Sequence, residues 1–266
     1  RRRNSTTDHI LWDSVRGITK ELYSNQNYSE GTTTNKIGEL NSIGFTVKNN
    51  ANANASDGTY VAWCWKAGGN SNTFNINDVG YDTASAAGLT AGTITPTGAS
   101  VNTKSGFSIV RYTGTGANAT VPHGLGRKPS LTIIKNLDDA SSWPVFTDII
   151  DGSMDQLYLD TTDAKSDQAG LSALSSTTFS ILSGSGSGAS TKRYVAYVWA
   201  EIPGFSKFGS YIGNSSTDGP MVVTGFKPRW ILIKQITSSG DGWYIYDTQR
   251  NKYNPTNIYL WANGAN

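Results

Sequence analysis

The sequence is short of charge, methionine, histidine and cysteine, and each shortage excludes something. Only 16% of its 266 residues are Asp, Glu, Lys or Arg, against roughly a quarter in ordinary soluble domains. A net charge of +2 provides no broad field to attract nucleic acid, and Arg1-Arg2-Arg3 is too small a cluster to supply one. A single cysteine rules out an internal disulfide, and Cys64, set in an aromatic run, reads as a small buried residue. His9 lies in a polar stretch and His123 in a Pro-His-Gly turn, neither with Cys or Glu at metal-ligand spacing, so no zinc site is expected. No apolar run reaches the length of about 20 residues that spans a bilayer. There is no Gly-x-Ser-x-Gly elbow, and Thr113 to Asn118 lacks both the third glycine of a dinucleotide loop and a Gly-Lys-Ser/Thr ending. No cofactor and no catalytic residue is called for.

What is present is Gly, Ser, Thr and Asn, with eight Trp and thirteen Tyr. Aromatic and β-branched residues fit pleated, half-buried surfaces, and they recur in order. Phe45-Thr46-Val47 precedes Tyr60-Val61-Ala62-Trp63-Cys64-Trp65, and at the same spacing Phe179-Ser180-Ile181 precedes Tyr194-Val195-Ala196-Tyr197-Val198-Trp199. Tyr112-Thr113-Gly114 and Pro129 to Lys135 return as Tyr211-Ile212-Gly213 and Pro228 to Lys234. The order Asp-x-x-Arg occurs at Asp13 and Arg16, and again at Asp247 and Arg250. Diverged copies of one β-rich unit point to a structural or binding protein rather than an enzyme.

The expected fold is all-β, built of antiparallel, jelly-roll-like β-sandwich repeat units, one complete and two partial. Residues 1–66 form a partial unit with a strong strand at Tyr60 to Trp65, preceded by a hairpin signal over Lys48 to Gly58. Residues 67–104 read as an ordered connector in which Asp82 to Leu89 could make a short helix. Residues 105–203 form the complete unit. Its expected strands are Phe107–Tyr112, Leu131–Lys135, Leu157–Leu159, Phe179–Leu182 and Tyr194–Trp199, with Ser183 to Gly188 as a hairpin loop. Residues 204–266 form a partial unit lacking the closing Tyr-Val-Ala-aromatic strand. An open sheet edge exposes unpaired backbone groups, so its end at Asn266 is expected to be completed by further sequence or by another chain. The two partial units cannot merge into one permuted unit, because each carries Asp-x-x-Arg.

The functional candidates are few. Asp13 with Arg16, and Asp247 with Arg250, are expected as buried or half-buried bidentate pairs that lock a turn in each copy. His123 is expected as a cap on neighbouring backbone groups. Asp138, Asp139, Asp148, Asp151 and Asp155 are read first as turn carboxylates, with a calcium site and paired catalytic acids as the alternatives. Trp143 and Trp243, about 100 residues apart beside turns, are the candidate sugar-stacking residues, against a core role in which Trp is well buried.

Gly114 to Pro129, Tyr60 to Gly69, Phe208 to Pro220 and Thr224 to Lys234 together resemble repeated β-rich modules of bacteriophage tail and tail-fibre proteins, especially those of marine phages. The resemblance runs over nearly the whole chain, including Phe74 to Tyr81. It implies a virion protein with a role in attachment, meeting host surface polysaccharide, assembled with other virion proteins and with itself, three subunits being the favoured number. The resemblance carries over no enzymatic residues; the low net charge and the lack of a long apolar run are what speak against a nucleic-acid partner and membrane insertion. A capsid-decoration or spacer module, and a carbohydrate-binding module of a secreted protein or depolymerase, remain the alternatives.

Overall fold

A computed structural model describes residues 1–69, 71–168, 174–184 and 186–264. The chain is all-β: nineteen strands and one short helix among the described residues. The first part contributes β1 (Ile10–Leu11), β2 (Lys20–Tyr23) and β3 (Gly31–Thr32), an antiparallel sheet, and the hairpin β4 (Ile37–Leu40) with β5 (Phe45–Val47).

Two expectations for this part are corrected. Lys48 to Gly58 is not a hairpin. It winds into a single helical turn, α1 (Ala51–Asn54), because the Asn50 side chain caps it by accepting from the Asn52 amide at 2.9 Å. Tyr60 to Trp65 is not a strand either. Its only ladder neighbour among the described residues is Arg1 to Arg3: Arg2 bridges Tyr60, Val61 N donates to Arg1 O, and Arg3 N to Thr59 O. From Ala62 onward no described strand lies alongside, and extended backbone without a partner is not a sheet. Cys64, expected inside, is therefore exposed.

The segment 67–104, read as a connector, supplies β6 (Phe74–Ile76), β7 (Val79–Tyr81) and β8 (Gly98–Asn102). Asp82 to Leu89 forms turns instead of a helix, closed by Ala87 N to Thr83 O and Leu89 N to Ala84 O. The middle part adds β9 (Phe107–Thr113), β10 (Ala119–Pro122), β11 (Leu131–Asn136), β12 (Pro144–Thr147), β13 (Asp155–Tyr158), β14 (Ser166–Asp167), β15 (Thr178–Ile181) and β16 (Arg193–Trp199). The expected loop from Ser183 to Gly188 turns tightly, Gly188 N donating to Gly184 O; Ser185 lies outside the described residues, as does Asn266. The last part supplies β17 (Trp230–Lys234), β18 (Trp243–Asp247) and β19 (Leu260–Trp261) in one antiparallel sheet.

Nine strands form the central sheet, in the order β14-β13-β12-β11-β16-β9-β8-β6-β7, antiparallel except where β6 meets β8. Side chains alternate across it, and both faces are buried. On β16, Tyr194, Ala196 and Val198 enter one core, and Val195 and Tyr197 the other. The first core is covered by the two-stranded β10–β15 sheet and by the turns carrying Ala84, Leu89 and Ile94. There Tyr112 stacks on Tyr194 at 5.3 Å and meets the edge of Phe179 at 6.1 Å. The second core is covered by the first and last parts of the chain, whose Leu22, Trp243, Ile245 and Leu260 pack with Trp143, Val145 and Leu157.

Candidate functional site

Equivalent residues of the three copies meet in the second core. Register identifies them: Leu11↔Leu22, Val145↔Leu157 and Ile245↔Leu260 are the same cross-strand pair in β1–β2, β12–β13 and β18–β19. His9 and Trp143 come just before β1 and β12, and Trp243 opens β18, each two residues before its copy's member of that pair. Each of these three has its backbone N–H bound by a side-chain oxygen at 2.8 Å, from Asn25, Asp160 and Asn263 respectively. Each carbonyl accepts from the far strand's end, Ser24, Leu159 and Ala262.

Their side chains reach into a different copy each time. Trp143 Nε1 donates to the Gln26 carbonyl at 2.9 Å, Trp243 Nε1 to the Tyr158 carbonyl at 2.8 Å, and His9 Nδ1 lies 3.1 Å from the Ala262 carbonyl. Middle thus binds first, last binds middle, and first binds last: a closed cycle. The cations eight or nine residues upstream of these three follow the same order. Lys135 Nζ donates to Asn27 O at 3.1 Å, Lys234 Nζ to Thr162 O at 3.3 Å, and Arg1 to Trp261 O at 2.8 Å. Burial lowers all three pKa values, Lys135 to about 8 and Arg1 to about 10.

These positions overturn the binding expectation. Trp143 is 0% and Trp243 5% exposed, so neither can stack on a sugar; each fills the core while its one polar atom bonds a carbonyl in the neighbouring copy. His9, read as part of a polar stretch, is buried as well.

The two Asp-x-x-Arg turns adopt one geometry twice. In each pair Nε donates to Oδ2 at 2.6 Å, and Oδ1 accepts the arginine's own amide at 2.8 and 2.9 Å. The expected two-pronged guanidinium grip is corrected by this arrangement. Arg250 holds Asp247 with Nε and its backbone N–H, while its Nη2 donates to the Ile245 carbonyl at 2.9 Å. Arg16 likewise turns Nη2 to the Leu11 carbonyl at 3.3 Å. Three residues of separation bring Nε and the amide to the carboxylate together, which leaves the fork's outer nitrogens for the strand. The pairs differ at Nη1: in Arg16 it faces Glu30 at 3.4 Å, whereas the buried Nη1 of Arg250 has no hydrogen-bond partner among the described residues. The pairs also join copies. Tyr197 Oη donates to Asp13 Oδ2 at 2.6 Å, and Trp63 Nε1 to Asp247 Oδ2 at 3.3 Å. Burial works against the Arg16 charge, but Tyr197, Asp13 and Glu30 together raise its pKa. Burial likewise opposes the Asp247 charge, and Arg250 nevertheless lowers the Asp247 pKa. In the middle copy Thr147 stands where the aspartate would be, its hydroxyl bonded to Ser130 O, and Asp148 pairs with Lys128.

Of the acidic stretch, Asp138 binds Arg193 and Asp139 binds Lys192. Asp151, Asp155 and Asp167 converge closely enough to hold a cation, but Lys165 Nζ stands among them at 2.6, 2.6 and 2.8 Å. The first copy explains this. Lys20 and Glu30 occupy the places of Asp155 and Lys165 with the charges exchanged, 3.9 Å apart. A pair that keeps its position while reversing its signs is a hairpin lock, not a metal cage. Burial raises the Asp155 pKa, while Lys165 lowers those of Asp151 and Asp167.

His123 is buried, with Nδ1 accepting from the Leu125 amide at 3.1 Å and Nε2 3.2 Å from Ser175 O. Burial holds its pKa down to about 4. Beside it a pocket of about 180 Å³ is lined by Leu89, Pro122, Gly124 and Thr177, below the few hundred Å³ of small-molecule sites.

One surface is only half-buried. The face of β17–β19 that corresponds to the first core carries half-buried Tyr244, Tyr246 and Trp261. Tyr244, Tyr246, Tyr259 and Trp261 cluster there with ring centroids 5.1 to 6.2 Å apart, beside exposed Ile231 and Tyr211. Trp143 and Trp243 were legible as equivalents, but not His9 as the third member, nor the exchanged ion pair; the constant step from Lys20 to Asp155 and from Gly31 to Ser166 carried that signal.

No helix among the described residues is long and apolar enough to cross a membrane. No curated protein and no solved structure matches the chain. One family, described as "Domain of unknown function (DUF7483)", matches residues 1–266, and the chain belongs to that family.

Proposed function

We propose that this chain is a structural module of a virion, of the bacteriophage tail or tail-fibre type, working by assembly with itself and with other virion proteins and not by catalysis. The observation that carries the reading is where the buried polar groups go. His9, Asp13, Arg16, Lys135, Trp143, Trp243 and Asp247 all bond across or brace junctions between copies, which is scaffold work. Burial of both candidate indoles favours the spacer over the glycan-contacting form of the reading, so host polysaccharide would be met by other parts of the particle.

Mass spectrometry of purified particles from an infected culture encoding this chain tests it: the chain should co-purify in a fixed ratio to tail proteins. Recovery only as a secreted product of uninfected cells, or polysaccharide cleavage lost on changing Asp151 or Asp155, would contradict it. A glycan array should give no binding that depends on Trp143 or Trp243.

A further inference from the structure

The two partial copies expose complementary halves of one buried arrangement, and the middle copy displays the finished form. There, β16 lies between β11 and β9, and Phe179 and Ile181 of β15 cover Tyr112, all at most 1% exposed. In the last copy β17 corresponds to β11. Its only strand partner among the described residues is β18, so the edge that β11 gives to β16 is open. The counterpart of β9, around Phe208 to Ile212, forms no strand, and every residue from Gly209 to Val223 is exposed. Tyr211, the counterpart of Tyr112, is 50% exposed, and Ile231 is 41% exposed.

The first copy shows the converse. Phe45 and Val47, the counterparts of Phe179 and Ile181, are 42% and 39% exposed. Ala62 to Trp65, the counterpart of the second half of β16, joins no ladder among the described residues. One end of the chain therefore holds a half-buried sheet face with a free edge, and the other holds an exposed cover and a closing segment of the same repeat that makes side-chain contacts but no ladder among the described residues. Trp63 and Trp65 touch Asp247 and Trp230 of the same chain, contacts that the exchange would remake with a neighbour.

We propose that copies of this chain join head to tail, the arm of residues 37–65 of one chain covering the face of β17–β19 in the next. Ala62 to Trp65 extends the edge of β17 antiparallel to it, and Phe45 and Val47 close over Tyr211. Such a contact is heterologous, so it propagates into a ring or a filament and does not stop at a symmetric pair. It rests on the repeat geometry alone and holds whether or not the chain is part of a virion.

The test uses two surface variants of the whole chain, Phe45→Asp/Val47→Asp for the donor arm and Tyr211→Asp/Ile231→Asp for the acceptor face. All four residues are exposed, so circular dichroism should show both variants folded. In native mass spectrometry the unaltered chain should give a series of multimers, and each variant alone should remain monomeric. Their mixture should give one-to-one heterodimers and nothing larger, since only one competent arm meets one competent face. A monomeric unaltered chain at high concentration overturns the proposal, as do multimers persisting in either variant or a mixture without heterodimers. A different polypeptide recovered on the acceptor face in place of a second copy would overturn it too.

Discussion

Asp13 accepts from the Val15 and Arg16 amides, the Arg16 guanidinium and the Tyr197 hydroxyl, so both of its oxygens are committed inside the protein. Replacing one member of a buried pair leaves the other charge uncompensated, at a cost of roughly 3–5 kcal/mol. Asp13→Asn should accordingly lower the unfolding free energy by about 3 kcal/mol in urea titration. Asp247→Asn should cost less. Its inter-copy partner, Trp63 Nε1 at 3.3 Å, is held less closely than the Tyr197 hydroxyl at 2.6 Å on Asp13, while the Nη2 bond to a strand carbonyl is common to both arginines. Equal losses would remove the distinction. His123 gives a pH dependence whose sign follows from its burial. Its folded pKa of about 4 lies below the free value of 6.5, so the unfolded chain takes up the proton first. Stability is full above about pH 6.5 and falls as the pH drops towards 4, by ~3 kcal/mol in all from this residue. His123→Gln should flatten that slope in thermal melts recorded across the window.

Among elements, the hairpin of β13 with β14 carries the clearest test of the repeat. Lys165→Glu sets a fourth carboxylate against Asp155, whose side chain is fully buried, and should destabilise severely. Adding Asp155→Lys recreates the order of charge found at Lys20 and Glu30 and should recover most of the loss. A double-mutant cycle of denaturant midpoints measures the coupling, and a double variant no better than the single one would show that the two hairpins are not equivalent. Strands β9, β11, β15 and β16 were legible in the sequence because their apolar residues alternate or run continuously beside clear turns. β8 was not: Gly98-Ala99-Ser100-Val101 looks like a loop, yet it lies against β9 with Ala99, Ser100 and Val101 at 0% exposure. Small residues suit it because the turns around Leu89 pack close by, and a Cβ on Gly124 would already crowd Leu89 and Val101. Tyr60 to Trp65 misled in the opposite direction. Its pattern matches β16, but strand formation depends on a neighbour's backbone, which no local pattern reports. The Asp-x-x-Arg turns were legible as pairs, but not the detail that Arg250 and Arg16 spend Nη2 on a strand carbonyl, since a carbonyl has no sequence signature.

For the whole molecule, the repeats were legible but their closure was not. Copies related in sequence need not touch, and the carbonyls of Gln26, Tyr158 and Ala262, which receive Trp143, Trp243 and His9, leave no mark in side-chain identity. The sequence made the ends look like loose fragments; in the structure both pack on one face of the central sheet and close a three-membered cycle. His9 reports that closure alone, since its ring is buried where the first copy meets the last. Burial, reinforced by the nearby charge of Arg1, lowers its pKa to about 3. An NMR titration of the His9 ring protons therefore tests the cycle most directly, with His9→Gln assigning the signal. The cycle requires a histidine that stays neutral from about pH 7 down to below about 4 while the protein remains folded. A His9 signal titrating near the free value of about 6.5 in the folded protein would mean that the last copy does not cover the first, and that the three copies do not form a ring.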